Sequence, residues 1–184
     1  MLGYASATVV GCAKESIIDT GSSVLMNMTI RDPATGNDYD RYYYVNLPKN
    51  YDHTKEYPIM LQFHGWYSGP TPYYMYEDLG QKEGIITVFP IGLADELGDS
   101  PRNSWNVGDG GNTATCTKDT ESSCYVSCKQ INKCSRCNCF TCVDDVFFVR
   151  SLVTRLENDF CVNTEKVYIT GESNGGMFTY YLAS

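Results

Sequence analysis

Val167-Tyr168-Ile169-Thr170-Gly171-Glu172-Ser173-Asn174-Gly175-Gly176-Met177 is the stretch on which the reading of this chain turns. Lys166 to Thr170 is a short β-branched and aromatic run that predicts a strand buried on both faces. Met177 to Ala183 predicts a helix. Between the two, glycines stand two before and two after Ser173. A strand-to-helix turn this tight leaves no room for a Cβ at either flank, which makes Gly171 and Gly175 the elbow residues of a G-x-S-x-G turn. Ser173 then stands exposed at the C-terminal end of the strand. The positive end of the following helix favours an anion developing there, and the backbone N–H of Asn174 is one donor to it. A serine that only caps the helix is the alternative; the strand before and the helix after favour the nucleophile. A phosphate-cradling loop is disfavoured, since neither G-x-G-x-x-G nor a G-K-[ST] ending occurs.

Upstream, Ser23 to Ile30 alternates apolar and polar residues as a half-buried strand does. Residues 32–37 form a turn cluster, and Arg41 to Leu47 reads as the returning strand of a hairpin. Tyr57 to Phe63 and Ile85 to Pro90 are continuous apolar runs, the mark of strands covered on both faces. Asp144 to Phe160 is the clearest helix, with Val149, Leu152, Val153, Leu156 and Phe160 at helical spacing and two aspartates at its positive end. A hairpin followed by strands alternating with helices predicts an α/β protein with a mixed, mostly parallel sheet and flanking helices. Residues 1–22 are set apart as an N-terminal segment, either a weak secretory signal or an extension: no Lys or Arg precedes Lys14, and Gly, Ser and Thr break the apolar run. Residues 23–184 read as one domain with a Cys-rich loop insertion at 112–142.

The 184 residues carry 14 Lys and Arg against 22 Asp and Glu, a net charge of −8. Such a chain repels phosphate backbones and anionic lipid surfaces, so neither nucleic acid nor a membrane is an expected partner. No stretch approaches the roughly 18–20 apolar residues of a membrane span. Hydrophobic residues at 42% and charged ones at 20% exclude disordered and fibrous classes.

Seven of the nine cysteines fall between Cys116 and Cys142, in a segment too polar to fold around its own core. Disulfides, and with them an oxidising, extracellular setting, are the expected cross-links. Zinc is the rival: Cys134-x-x-Cys137 and Cys139-x-x-Cys142 are two pairs, but one residue separates them and the segment has no histidine. Nine is odd, which leaves at least one thiol unpaired within the chain; Cys12 and Cys161, outside the cluster, are the expected ones. Asn27-Met28-Thr29 is a glycosylation sequon, meaningful only in a secreted protein.

His64-Gly65-Trp66 closes the run from Tyr57. Gly65 lets the backbone approach a substrate, and the N–H of Trp66 is the second expected oxyanion donor. His64 and His53 are the only histidines, and both precede Ser173. His64 is read as shaping the oxyanion loop, His53 as a surface residue.

From about Arg41 to Ser184 the chain resembles the polyhydroxybutyrate-depolymerase and feruloyl-esterase type of esterase (carbohydrate esterase family 1-like), within the α/β-hydrolase superfamily. Five stretches carry the resemblance in order: Tyr44 to Pro48, Leu61 to Gly65, Ser104-Trp105-Asn106, Val143 to Phe148, and Val167 to Met177. It implies an α/β-hydrolase fold with Ser173 as nucleophile, the His64-Gly65 loop and Asn174 shaping the oxyanion hole, and Ser104-Trp105-Asn106 near the active-site face. Asp144 and Asp145 look like family signature residues; helix capping accounts for them and no chemistry is assigned. The implied substrates are carboxylic esters, polymeric ones included: microbial polyester, or hydroxycinnamoyl or acetyl esters of plant polysaccharide. Two-step acyl transfer through an acyl-enzyme on Ser173 needs no cofactor and no metal.

In this fold the acid and the histidine follow the nucleophile, yet none of the 11 residues after Ser173 is His, Asp or Glu. The expectation is a C-terminally truncated domain, inactive as it stands, whose nucleophile strand has no neighbour on one side. Two other classes remain open at this point: a catalytically inactive hydrolase-fold binding protein, and a Cys-rich metal-binding or interaction module. For Tyr73-Tyr74-Met75-Tyr76, packing of the following helix is preferred over stacking on a substrate.

Overall fold

Alternation dictates the first element of the computed structural model, which describes residues 11–68, 71–95, 102–108, 125–131 and 140–184. In β1 (Ser23–Arg31) the side chains of Met26, Met28 and Ile30 join the core, while Leu25, Asn27 and Thr29 are exposed. β1 pairs antiparallel with β2 (Asp38–Asn46), from Ser23 opposite Asn46 to Arg31 opposite Asp38. The carboxylate of Asp32 closes the turn between them, accepting from the N–H and the hydroxyl of Thr35, both at 2.7 Å.

β2 continues antiparallel to β4 (Ile86–Pro90). β3 (Tyr57–Phe63) runs parallel to β4 on one side and to β5 (Val162–Gly171) on the other. The described residues thus form a five-stranded mixed sheet in the order β1-β2-β4-β3-β5. Reversed, parallel and crossover connections agree with the expected α/β architecture. The helices are α1 (Tyr74–Glu83), α2 (Val126–Gln130), α3 (Asp145–Asp159) and α4 (Ser173–Ala183).

Strand parity places the helices. On β2, Asn46 accepts from Gln81 of α1, whereas Arg41, of opposite parity, pairs with Asp145 of α3. α1 and α3 therefore cover opposite faces. Val45, Val88 and Leu61 are in register on the α3 face, Phe63 follows on the same face two residues along β3, and Phe178 of α4 meets it there with ring centroids 5.0 Å apart. Helices on both faces explain why β3 and β4 are buried along almost their whole length.

β5 departs from its expected burial. Tyr168 is 52% and Val167 37% exposed. An apolar run looks the same in a central strand and in an edge strand, and β5 is the last strand of the sheet among the described residues.

The cysteine reading is corrected in one respect. Cys12 and Cys161 are not unpaired but bonded to each other. The N–H of Gly11 donates to the carbonyl of Glu157 at 2.9 Å and that of Ala13 to the carbonyl of His53 at 2.8 Å, which holds residues 11–13 against the end of α3. Sequence distance hid this pair, since 149 residues separate its members. Cys128 is bonded to Cys142, which takes one cysteine from the Cys139-x-x-Cys142 pair a zinc site would need. Cys116, Cys124, Cys134, Cys137 and Cys139 lie outside the described residues. No described helix is long and apolar enough to cross a membrane.

One ion pair locks the hairpin to α3. Arg41 Nη2 donates to Asp145 Oδ1 at 2.6 Å, and the two side chains are 1% and 0% exposed. The guanidinium lies 3.9 Å from the centroid of Phe148. Asp145 Oδ2 accepts from the N–H of Asn106 at 2.7 Å. Burial pushes the Asp145 carboxyl above its ordinary value, against the pull of Arg41. Asp144 does cap α3, accepting from the N–H of Phe147 at 2.8 Å; Asp145 does not, and capping does not account for it. Removing one charge of a buried pair strands the other. Asp145→Asn is expected to cost about 3–5 kcal/mol in urea unfolding. The double change Arg41→Met, Asp145→Leu is expected to recover most of that loss.

Candidate active site

The elbow is built by exclusion of side chains. A Cβ on Gly171 would lie 2.4 Å from the carbonyl oxygen of Gly175. A Cβ on Gly175 would lie 2.3 Å from the carbonyl oxygen of Phe63 and 2.5 Å from that of His64. Neither position has room for a Cβ. Ser173 itself has φ of 49°, a left-handed conformation rare for a residue with a side chain. Strained backbone of this kind persists where surrounding packing over-determines it.

Ser173 is exposed, and its hydroxyl has no hydrogen-bond partner among the described residues. No side chain caps α4, so a capping role for Ser173 is not what the turn provides. Asn174 is the second residue of α4, where backbone N–H groups lack an intrahelical acceptor. Its side chain is buried and otherwise engaged: Oδ1 accepts from the N–H of Trp105 at 2.8 Å, and Nδ2 donates to the Trp105 carbonyl at 3.1 Å.

The loop after β3 comes close to this turn. A Cβ on Gly65 would lie 3.4 Å from Cβ of Ser173. The Gly65 carbonyl accepts from the N–H of Ser68 at 3.2 Å and lies 2.7 Å from His64 Nδ1. A trans peptide points its C=O and N–H in opposite directions, so these bonds fix the direction of the Trp66 N–H as well. That N–H has no acceptor among the described residues. The Trp66 indole is held aside, its Nε1–H donating to the Tyr125 hydroxyl at 3.0 Å.

His64 is a structural residue by its bonding. The N–H of Gly92 donates to Nε2 at 2.9 Å, so the ring proton sits on Nδ1 and donates to the Gly65 carbonyl. Both nitrogens are committed, and burial holds the imidazole below its ordinary value. His53 precedes β3, whereas Ser173 adjoins its far end.

Trp105 is the residue whose weight the sequence understated. It is fully buried, stacked on Phe178 at 5.2 Å between ring centroids and edge-on to Phe63 at 5.1 Å. Its Nε1–H donates to the His64 carbonyl at 3.0 Å. The stretch Ser104-Trp105-Asn106 therefore lies behind the elbow, as a wedge between the end of β3 and the start of α4. Glu172 was also missed as a contributor. The Tyr73 hydroxyl donates to its carboxylate, and burial, with that carboxylate, raises the phenol above its ordinary value. Tyr73 thus links the start of α1 to the elbow, while Tyr74 and Met75 are exposed instead of packed.

Gly175→Ala is expected to destabilise the fold by about 1–3 kcal/mol, because the obstructing atoms are backbone. Gly176→Ala, whose new Cβ would meet nothing closer than 3.3 Å, is expected to stay within about 1 kcal/mol of the parent. Urea midpoints compare the two. For His64, a folded value below the unfolded one of about 6.5 means that the folded chain binds fewer protons. Stability therefore falls as pH drops through about 6.5, by at most about 1.4 kcal/mol per pH unit. His64→Gln is expected to flatten that part of a stability–pH profile measured from pH 7.5 to 5.

A model of the family described as "Putative esterase" matches residues 35–184. The bifunctional acetylxylan esterase/xylanase of Neocallimastix patriciarum is 24% identical over 157 residues, 84% of this chain and 17% of that protein. Two solved structures share the fold. The acetyl xylan esterase of Aspergillus awamori matches at TM-score 0.50 and 17% identity, covering 87% of this chain and 46% of that one. An S-formylglutathione hydrolase of Agrobacterium tumefaciens matches at TM-score 0.50 and 14% identity, covering 84% and 50%. The chain thus spans half or less of the length of these relatives.

Proposed function

The chain belongs to the Esterase family, and from that premise we propose that it is the nucleophile-bearing part of a secreted serine esterase. The observation that carries the reading is Ser173, exposed at φ 49° on a turn whose flanking glycines admit no Cβ, with Gly65 against it. Ser173 Oγ attacks the ester carbonyl while a base takes its proton. The developing oxyanion accepts from the N–H groups of Trp66 and Asn174, neither of which has another acceptor among the described residues. Collapse of the tetrahedral intermediate expels the alcohol, and water releases the acid from the acyl-enzyme. Backbone donors fixed beforehand cost no reorganisation during the reaction.

The base is neither histidine of this chain. His64 has both ring nitrogens committed, and His53 lies at the opposite end of β3, about 20 Å away at 3.3 Å per residue. Among the ester classes expected from the sequence, we favour acetyl groups on xylan. The matched relatives from Neocallimastix patriciarum and Aspergillus awamori are named for that substrate. The two disulfides among the described residues support secretion.

In the full-length protein, a fluorophosphonate is expected to label Ser173, and acetylated xylan to release acetate. Ser173→Ala should abolish the label and lower acetate release by at least about 10⁴-fold. Residues 1–184 alone are expected to release none. Acetate release that survives Ser173→Ala sinks the proposal.

A further inference from the structure

Asn27-Met28-Thr29 is the one N-x-[ST] tripeptide of the chain, and the ester chemistry makes no use of it. It lies within β1, at the edge of the sheet opposite to β5 and the elbow. Asn27 shares the outward face of β1 with Leu25 and Thr29, and its side chain has no hydrogen-bond partner among the described residues. The cross-strand register sets Tyr42 directly opposite Asn27. Leu25 is 51% and Tyr42 44% exposed, so the asparagine stands between two uncovered apolar side chains. Disulfides at Cys12–Cys161 and Cys128–Cys142 require an oxidising compartment, the kind in which asparagine-linked sugars are added.

We infer that Asn27 is a site of N-linked glycosylation, with the first sugar lying over Tyr42 and Leu25. The donor class is a polyprenyl-diphosphate-linked oligosaccharide. Nδ2 of Asn27 forms a bond to the anomeric carbon of the reducing-end N-acetylglucosamine. The bond from that carbon to the diphosphate oxygen breaks, the diphosphate leaves with the electron pair, and the amide gives up one proton. Transfer precedes closure of the hairpin, because in the folded chain the Thr29 hydroxyl, the second element of the sequon, donates to Asp40 Oδ1 at 2.6 Å. In the folded protein the glycan serves two ends. Its apolar sugar face covers exposed aromatic surface. Its bulk also blocks a second strand from adding to the open edge of β1, where unpaired backbone groups invite pairing.

The test is expression of the chain in a glycosylating secretory host, with intact mass read on both the secreted and the cell-retained fractions so that poor secretion hides nothing. The parent should carry one glycan, removed by peptide-N-glycosidase with conversion of residue 27 to aspartate. Asn27→Gln and Thr29→Ala should carry none, and Thr29→Ser should keep part of the occupancy. The glycosylated parent should melt about 2–4 °C above its enzymatically deglycosylated form. Tyr42→Ala should keep the glycan and lose most of that difference. Unmodified Asn27 in both fractions overturns the site; an unchanged difference in Tyr42→Ala overturns the placement of the sugar.

Discussion

The carbonyl oxygens of Phe63 and His64 stand where a side chain on residue 175 would begin, 2.3 and 2.5 Å from its Cβ. That backbone-on-backbone approach brings the first turn of α4 onto the end of β3, and the rest of the site follows from it. The chain must leave β5, cross the end of β3 and enter α4 within four residues. Ser173 bears the cost in its left-handed φ of 49°. Strain of this kind is worth about 1–3 kcal/mol and persists only under packing. The packing is aromatic: Trp105 lies flat against Phe178 and edge-on to Phe63, so one side chain from a distant loop clamps both parties to the approach.

A polar relay carries the same constraint across the molecule. Arg41 on β2 holds Asp145 at the start of α3, and the other oxygen of Asp145 holds the N–H of Asn106. One residue earlier, the N–H and C=O of Trp105 both bond the side chain of Asn174, next to Ser173. Asp32 adds a second tie, its Oδ1 accepting from the N–H of Asp144 at 2.6 Å. The hairpin, the start of α3, the 104–106 loop and the elbow thus form one bonded series. Asp145 and Asn174 are thereby joined through adjacent residues of the 104–106 loop.

What could be read beforehand was whatever depends on local pattern. The strands from Ser23, Tyr57 and Ile86, the long helix after Asp144 and the two elbow glycines all follow from periodicity and sterics within about ten residues. Residues whose role depends on partners far along the chain stayed hidden. Arg41 reads as an ordinary charged residue of a Tyr-rich strand until its parity aims it at α3, 104 residues away. Cys12 and Cys161 looked solitary for the same reason. Glu172 occupies a variable position of the G-x-S-x-G pattern, which says nothing of Tyr73, 99 residues upstream. The missing neighbour on one side of β5 was expected, but the exposure of Val167 and Tyr168 was not, because an apolar run does not record which of its side chains are covered.

The site is therefore organised from the β3 side. The carbonyl of Phe63 accepts the N–H of Glu172, the carbonyl of His64 accepts the indole of Trp105, and the carbonyl of Gly65 takes the N–H of Ser68 and the ring of His64. Three successive carbonyls at one strand end thus fix the elbow, the wedge behind it and the loop in front of it. Such an arrangement holds Ser173 and the backbone N–H groups of Trp66 and Asn174 in one fixed relation. The imidazole of His64 serves here as a brace, with the N–H of Gly92 on one nitrogen and the Gly65 carbonyl on the other. Braced at both nitrogens, His64 holds the Gly65–Trp66 peptide in one orientation.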